Sequence, residues 1–118
     1  MADLKALLSR IARMDGIRAA VVVSRDGFVI ESAAGSYDID TEAIGAIIST
    51  GIGITEDMGK ELRVGALVQS MIEYDDGIVV MTLLGNEAVL AVTANLKVNL
   101  GNLRYQVKKI APELHKTL

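Results

Sequence analysis

The chain reads as an α/β domain of the α+β type, a five-stranded antiparallel sheet with helices on both faces in the order α-β-β-α-β-β-β-α. Three observations predict it. Segments at the start, middle and end repeat apolar residues at helical spacing. Between them lie five β-rich runs, arranged as one hairpin and one three-stranded meander with short turns that contain Gly. Several of these runs are apolar at consecutive positions, so helices must cover both sides of the sheet.

Asp3 suits an N-cap, and Leu4, Leu7, Leu8 and Ile11 then share one helical face until Asp15-Gly16 stops the helix. Ile17 to Ser24, IRAAVVVS, has the composition of a strand covered on both faces. Arg25-Asp26-Gly27 is the hairpin turn, with Gly27 supplying a positive φ, and Phe28 to Ala34 is the returning strand. Gly35 to Asp40 is a polar loop. Asp40 caps a second helix running from Thr41 to about Leu62, with Glu42 at its positive end. Ile44, Ile47, Ile48, Ile52, Ile54, Met58 and Leu62 give that helix an apolar arc of about 160°, more than one sheet face requires. Ala66 to Tyr74, Ile78 to Leu84 and Ala88 to Ala94 form the meander. Leu96, Leu100, Leu103, Val107, Ile110 and Leu114 mark the last helix, which Pro112 is expected to end or break.

At 118 residues the chain is one domain, 51% apolar and 23% charged, with a mean hydropathy of +0.38. That hydropathy is high for so small a body and implies that another chain covers part of the surface. A net charge of −3 argues against a nucleic-acid partner. The absence of Cys excludes disulfides and thiolate metal sites and fits a reducing, cytoplasmic setting. No apolar run reaches the ~18 residues of a membrane span.

The residues do not assemble a reaction centre. His115 stands alone near the end of the chain. Asp38, Asp40 and Glu42 lack the pattern of a cation loop and read as loop and cap residues, and Glu73, Asp75 and Asp76 read as turn residues. Neither GK[ST] nor GxGxxG is present to cradle a phosphate. No catalytic, cofactor-binding or metal-binding residue is therefore expected, and no cofactor. Arg25 is the loop arginine best placed to act as a finger, a weak candidate.

Contacts are the better prospect. Each glycine inside a helix costs roughly 1 kcal/mol against Ala, yet the second helix carries Gly45, Gly51, Gly53 and Gly59. Gly45, Ser49 and Gly53 form a small-residue stripe flanked by Glu42, Ala46, Glu56 and Lys60, read here as a partner-binding face, the plain alternative being a solvated face. Gly51, on the apolar arc, reads as a site of close helix–sheet packing. The strand Ala66 to Tyr74 should be a sheet edge. With one charge in nine residues it invites pairing with its own copy, through Ala66, Leu67, Val68, Gln69, Ser70, Met71 and Ile72. Lys97, Arg104, Lys108, Lys109 and Lys116 give the last segment a charge of +4 with Glu113 counted. This is an ordinary solvated strip or a dock for an acidic surface.

Gly16 to Ser32, GIRAAVVVSRDGFVIES, resembles the roadblock family, also called the dynein light-chain roadblock family. Leu84-Gly85 followed by Val89, Leu90 and Val92 is similar to the family, as are Ala94-Asn95-Leu96 and Asn99 to Arg104. The resemblance implies a homodimer or heterodimer that serves as a platform for small Ras-like GTPases or as a subunit of motor and signalling assemblies. Stand-alone bacterial members are GTPase-activating partners. The expectation is a non-catalytic homodimer whose second helices bind a Ras-like GTPase and order its switch loops. A scaffold subunit and a small-molecule sensor are the alternatives.

Overall fold

The computed structural model describes residues 3–34 and 40–118. In chain order its elements are α1 (Leu4–Ala12), β1 (Ile17–Ser24), β2 (Val29–Ala34), α2 (Thr41–Glu61), β3 (Gln69–Tyr74), β4 (Gly77–Leu84), β5 (Ala88–Ala94) and α3 (Leu100–Lys116). The strands form one antiparallel sheet in the order β2-β1-β5-β4-β3, so the element order and fold class are as expected. Both expected caps are in place. The Asp3 carboxylate accepts from the Ala6 N–H at 2.7 Å, and that of Asp40 accepts from Glu42 and Ala43. The expected loop from Gly35 to Asp40, Asp38 included, lies outside the described residues up to Asp40 itself.

The two sheet faces are covered unequally. On one, Leu7, Leu8 and Ile11 of α1 and Leu103, Val107, Ile110 and Leu114 of α3 pack on Ala20, Val22, Val80, Leu90 and Val92. On the other, α2 contributes two fully enclosed side chains, Ile48 and Ile52, against Val21, Val23, Met81, Val89 and Ala91. Alternation along β1 and β5 sends neighbouring residues to opposite cores, which is why neither strand has a polar side.

Glycine decides where α2 sits. Gly45 is buried against the β1–β2 turn, and a Cβ there would overlap the Gly27 carbonyl oxygen. Gly27 itself has φ +100° and lies over Ala46 and Ser49. Arg25, from the same turn, is ion-paired with Glu56 one face further along the helix. Gly59 plays a similar part at the other end, where its missing Cβ leaves 2.8 Å to the Gly65 carbonyl oxygen. Gly65, with φ +97°, helps turn the chain out of α2.

Strands β2 and β4 begin within one residue of their expected starts, at Val29 and Gly77, and three larger differences from the sequence reading stand out. Strand β3 starts at Gln69 and not at Ala66, because the Thr82 hydroxyl donates to the Val68 carbonyl at 2.9 Å where the ladder would otherwise continue. Helix α3 starts at Leu100. Asn95 and Asn99 turn their side chains onto the N–H groups of Lys97 and Asn102, which favours a turn and a cap over helix and leaves Leu96 exposed. Pro112 lies inside α3 and does not end it. It and Lys108 are both exposed, so the carbonyl that loses its donor is on the solvent side, while Ile110 and Leu114 anchor the helix around it.

Gly45→Ala is expected to lower unfolding free energy by about 1–3 kcal/mol, the usual cost of overpacking, despite the better helix propensity of Ala. Gly53→Ala has open space for its methyl and is expected to raise it by up to about 1 kcal/mol. Urea denaturation of the two variants checks this, and equal shifts of the same sign would contradict it.

Candidate functional site

On the α2 side the helix reaches β4 at Met81 but does not cover β3. Between α2 and these strands runs an apolar groove of about 220 Å³, walled by Ile44, Ile47, Ile48 and Gly51 of α2 and by Ile72, Tyr74, Val79 and Met81 of the strands. Ala19, Val21, Ala91 and Thr93 form its floor. The Thr93 hydroxyl there is buried without a hydrogen-bond partner among the described residues. A volume this small, lined by methyl and methylene groups, is below the roughly 300 Å³ at which small-molecule pockets begin. That weighs against this groove as the ligand site of a sensor.

The groove continues into exposed apolar side chains on both sides. On α2, Ile47 (65% exposed), Ile54, Met58 and Leu62 (66%) form a ridge along the helix, interrupted by Gly51. An added Cβ at Gly51 would meet nothing within 4 Å. Close packing against the sheet therefore does not account for this glycine, contrary to the sequence reading. On the other side is β3, an edge strand as expected, with one partner, β4. Its register opposite Met81 and Val79 places Ser70, Ile72 and Tyr74 on the groove side, while Gln69 and Met71 face the α3 side. The Gln69 side chain is locked there by a reciprocal pair of hydrogen bonds with Arg104, whose Nε donates to it at 3.0 Å and whose carbonyl accepts from it at 3.3 Å. Of the seven residues assigned to the edge, Ala66, Leu67 and Val68 precede the strand. Leu67 packs into the α2 core, and Val68 is exposed.

Ridge, groove and edge form one continuous apolar surface. The chain exposes 7193 Å², against about 6,200 Å² expected for a folded monomer of its mass. A contiguous apolar surface left exposed on a small protein marks an interaction site.

The small-residue stripe is divided by the fold. Gly45 is interior, spent on the β1–β2 turn, and is unavailable to a partner. Glu42, Ala46 and Ser49 line an open cleft of about 730 Å³ between α2 and that turn, with Phe28, 70% exposed, at its rim. Phe28 was missed as a surface residue because in sequence it reads as the first residue of β2. Gly53 has open space above it and Lys60 is exposed. Glu56 is held by Arg25, which is therefore an anchored side chain and not a free finger. His115 lies 3.2 Å from Glu87 of the β4–β5 turn. Among the described residues no group of His, Asp or Glu has the arrangement of a metal site.

A family model for the Roadblock/LC7 domain matches residues 3–94. The uncharacterized protein MJ0714 of Methanocaldococcus jannaschii is 35% identical over 108 residues, which cover 92% of this chain and 90% of that protein. Among solved structures, MglB of Myxococcus xanthus is similar with a TM-score of 0.88 at 23% identity, over 96% of this chain and 92% of that one. A Roadblock/LC7 domain from Streptomyces avermitilis is similar with a TM-score of 0.80 at 26% identity, over 96% and 98%. With this sequence match and with the helix order and five-stranded sheet described above, the chain belongs to the Roadblock/LC7 domain family.

Proposed function

We propose that the protein is a homodimeric, non-catalytic module that binds a small Ras-like GTPase on the outer surface of its paired α2 helices. The observation that carries the dimer is the continuity of the α2 ridge, the apolar groove and the unpaired β3 edge. A second copy meets all three at once. Antiparallel pairing of β3 with its own copy extends the sheet from five strands to ten, and the two-fold axis stands normal to it. The same axis lays the second α2 antiparallel beside the first. Its ridge then covers the groove, and Gly51 near the middle of each helix lets them approach closely.

What remains exposed on α2 is the side bearing Glu42, Ala46, Ser49, Gly53 and Lys60, beside the Phe28 cleft. Small residues there admit a partner backbone, and the flanking charges set register and encounter rate. The GTPase assignment rests on family membership, since roadblock domains serve as platforms for such proteins. With Arg25 tied to Glu56, any effect on hydrolysis comes from ordering the partner's switch loops.

Light scattering is expected to give about twice the 12.6 kDa chain mass. Ile47→Lys and Ile72→Lys each remove an apolar side chain worth about 1.5–3 kcal/mol when buried. Each is therefore expected to weaken dimerisation more than tenfold, with the helical circular dichroism kept. A strictly monomeric wild type, or unchanged dimer affinity in both variants, contradicts the dimer.

The GTPase reading is tested by affinity capture from native extract with the wild type and with the double variant Ala46→Arg/Gly53→Arg. Recovery of a Ras-like GTPase by the first and its loss with the second, at unchanged dimer mass, is the expected result. Capture of the GTPase by both would place its dock elsewhere. Recovery of a partner without a nucleotide-binding domain would assign a scaffold role.

A further inference from the structure

We propose that the face built by α1 and α3 docks on an anionic lipid surface, leaving α2 turned away from it and free for protein partners. The first and last helical segments are basic in an otherwise acidic chain. From Lys97 to the end, five basic residues stand against Glu113. From Asp3 to Asp15, three basic residues stand against two Asp. Together these segments carry a formal +5 in a chain whose total is −3, so the remainder carries −8. Glu31 and Glu87 reach this side as well, against Lys5 and His115, so the excess positive charge of the face is carried by the last segment.

Lys5 pairs with Glu31 and Arg13 donates to the Ser9 carbonyl, but the lysines of the last segment are unengaged. Lys97, Lys108, Lys109 and Lys116 are exposed, and among the described residues none has an ion pair or a side-chain hydrogen bond. Arg104 is tied to Gln69, and Arg10 pairs with Glu113. The free charges are thus all ammonium groups on flexible stems.

This chemistry favours a lipid surface over a folded protein. Lysine is depleted in protein interfaces, where arginine supplies bidentate contacts, whereas a hydrated point charge suits a diffuse layer of phosphate headgroups. Tyr105, 60% exposed, projects one helical turn before Lys108 and Lys109. A ring with an apolar body and a polar tip is the residue type enriched at the headgroup level of bilayers. No helix of the described chain is long and apolar enough to cross a membrane, so the attachment is peripheral.

Dimer geometry reinforces it. A two-fold axis normal to the sheet puts both α1/α3 layers on the same side, so the pair offers two basic faces to one plane and gains by bivalency. The doubling rests on the proposed dimer, and the charged face does not.

The test is co-sedimentation of the full chain with phosphatidylcholine vesicles, with and without phosphatidylglycerol, with the mass measured on the same sample. The wild type is expected to sediment with the anionic vesicles alone and to be released by added NaCl. Each lysine removed lowers partitioning about five-fold, so Lys108→Gln/Lys109→Gln/Lys116→Gln is expected to abolish it, and Glu113→Gln to strengthen it. A monomeric wild type that still sediments would remove the dimer and keep the basic face. No sedimentation at low salt, equal retention of the triple variant, or retention on pure phosphatidylcholine overturns the proposal. So does binding of duplex DNA in place of vesicles, which would assign the face to nucleic acid.

Discussion

The β1–β2 turn lies backbone to backbone against α2, Gly27 on Gly45, and the layout of the second layer depends on that contact. A helix normally keeps its distance from a neighbour by the thickness of their side chains. Here both have none at the point of approach. The helix is drawn to the β2 end of the sheet, where Arg25 and Glu56 hold it further and Ile48 and Ile52 fill the space beneath. Because one helix cannot reach both ends of a five-stranded sheet, β3 stays open on this side.

The opposite layer shows what complete coverage looks like. Two helices there bring seven buried side chains against the sheet, while α2 brings two fully enclosed ones and leaves its ridge in water. Ile47, Ile54, Met58, Leu62, Ile72 and Tyr74 gather exposed apolar area on this one surface. Two surfaces of different chemistry result, one apolar and bordered by acidic residues, the other polar and rich in lysine.

Much of this was legible from residue order because its causes are local. Asp3 and Asp40 cap helices through their own near neighbours, and β1 announces its central place by being apolar on both faces. The family was legible from the joint spacing of the Gly16 to Ser32 hairpin and the Asn-rich entry to α3. The glycines of α2 were not legible individually. Gly45 packs against a turn eighteen positions earlier in the chain, Gly51 faces open space on the apolar side, and Gly53 faces open space beyond the stripe. No periodicity separates these roles, because they depend on where Gly27 arrives in space. The start of β3 was misplaced for a similar reason, since the group that displaces the ladder, the Thr82 hydroxyl, belongs to the next strand.

The strand order also has a consequence for biosynthesis. β1 is made before the other four strands, yet one of its two neighbours, β5, is the last of the five to be made. Until β5 arrives, the β1–β2 hairpin and the β3–β4 hairpin are separate pieces with open hydrogen-bonding edges, and the α3 stripe that covers their common core is still unmade. Long-range pairing of this kind is slow, and unpaired edges are where nascent chains associate wrongly. Insertion of β5 closes both hairpins into one sheet in a single event, so cooperative folding must wait for the C-terminal quarter of the chain.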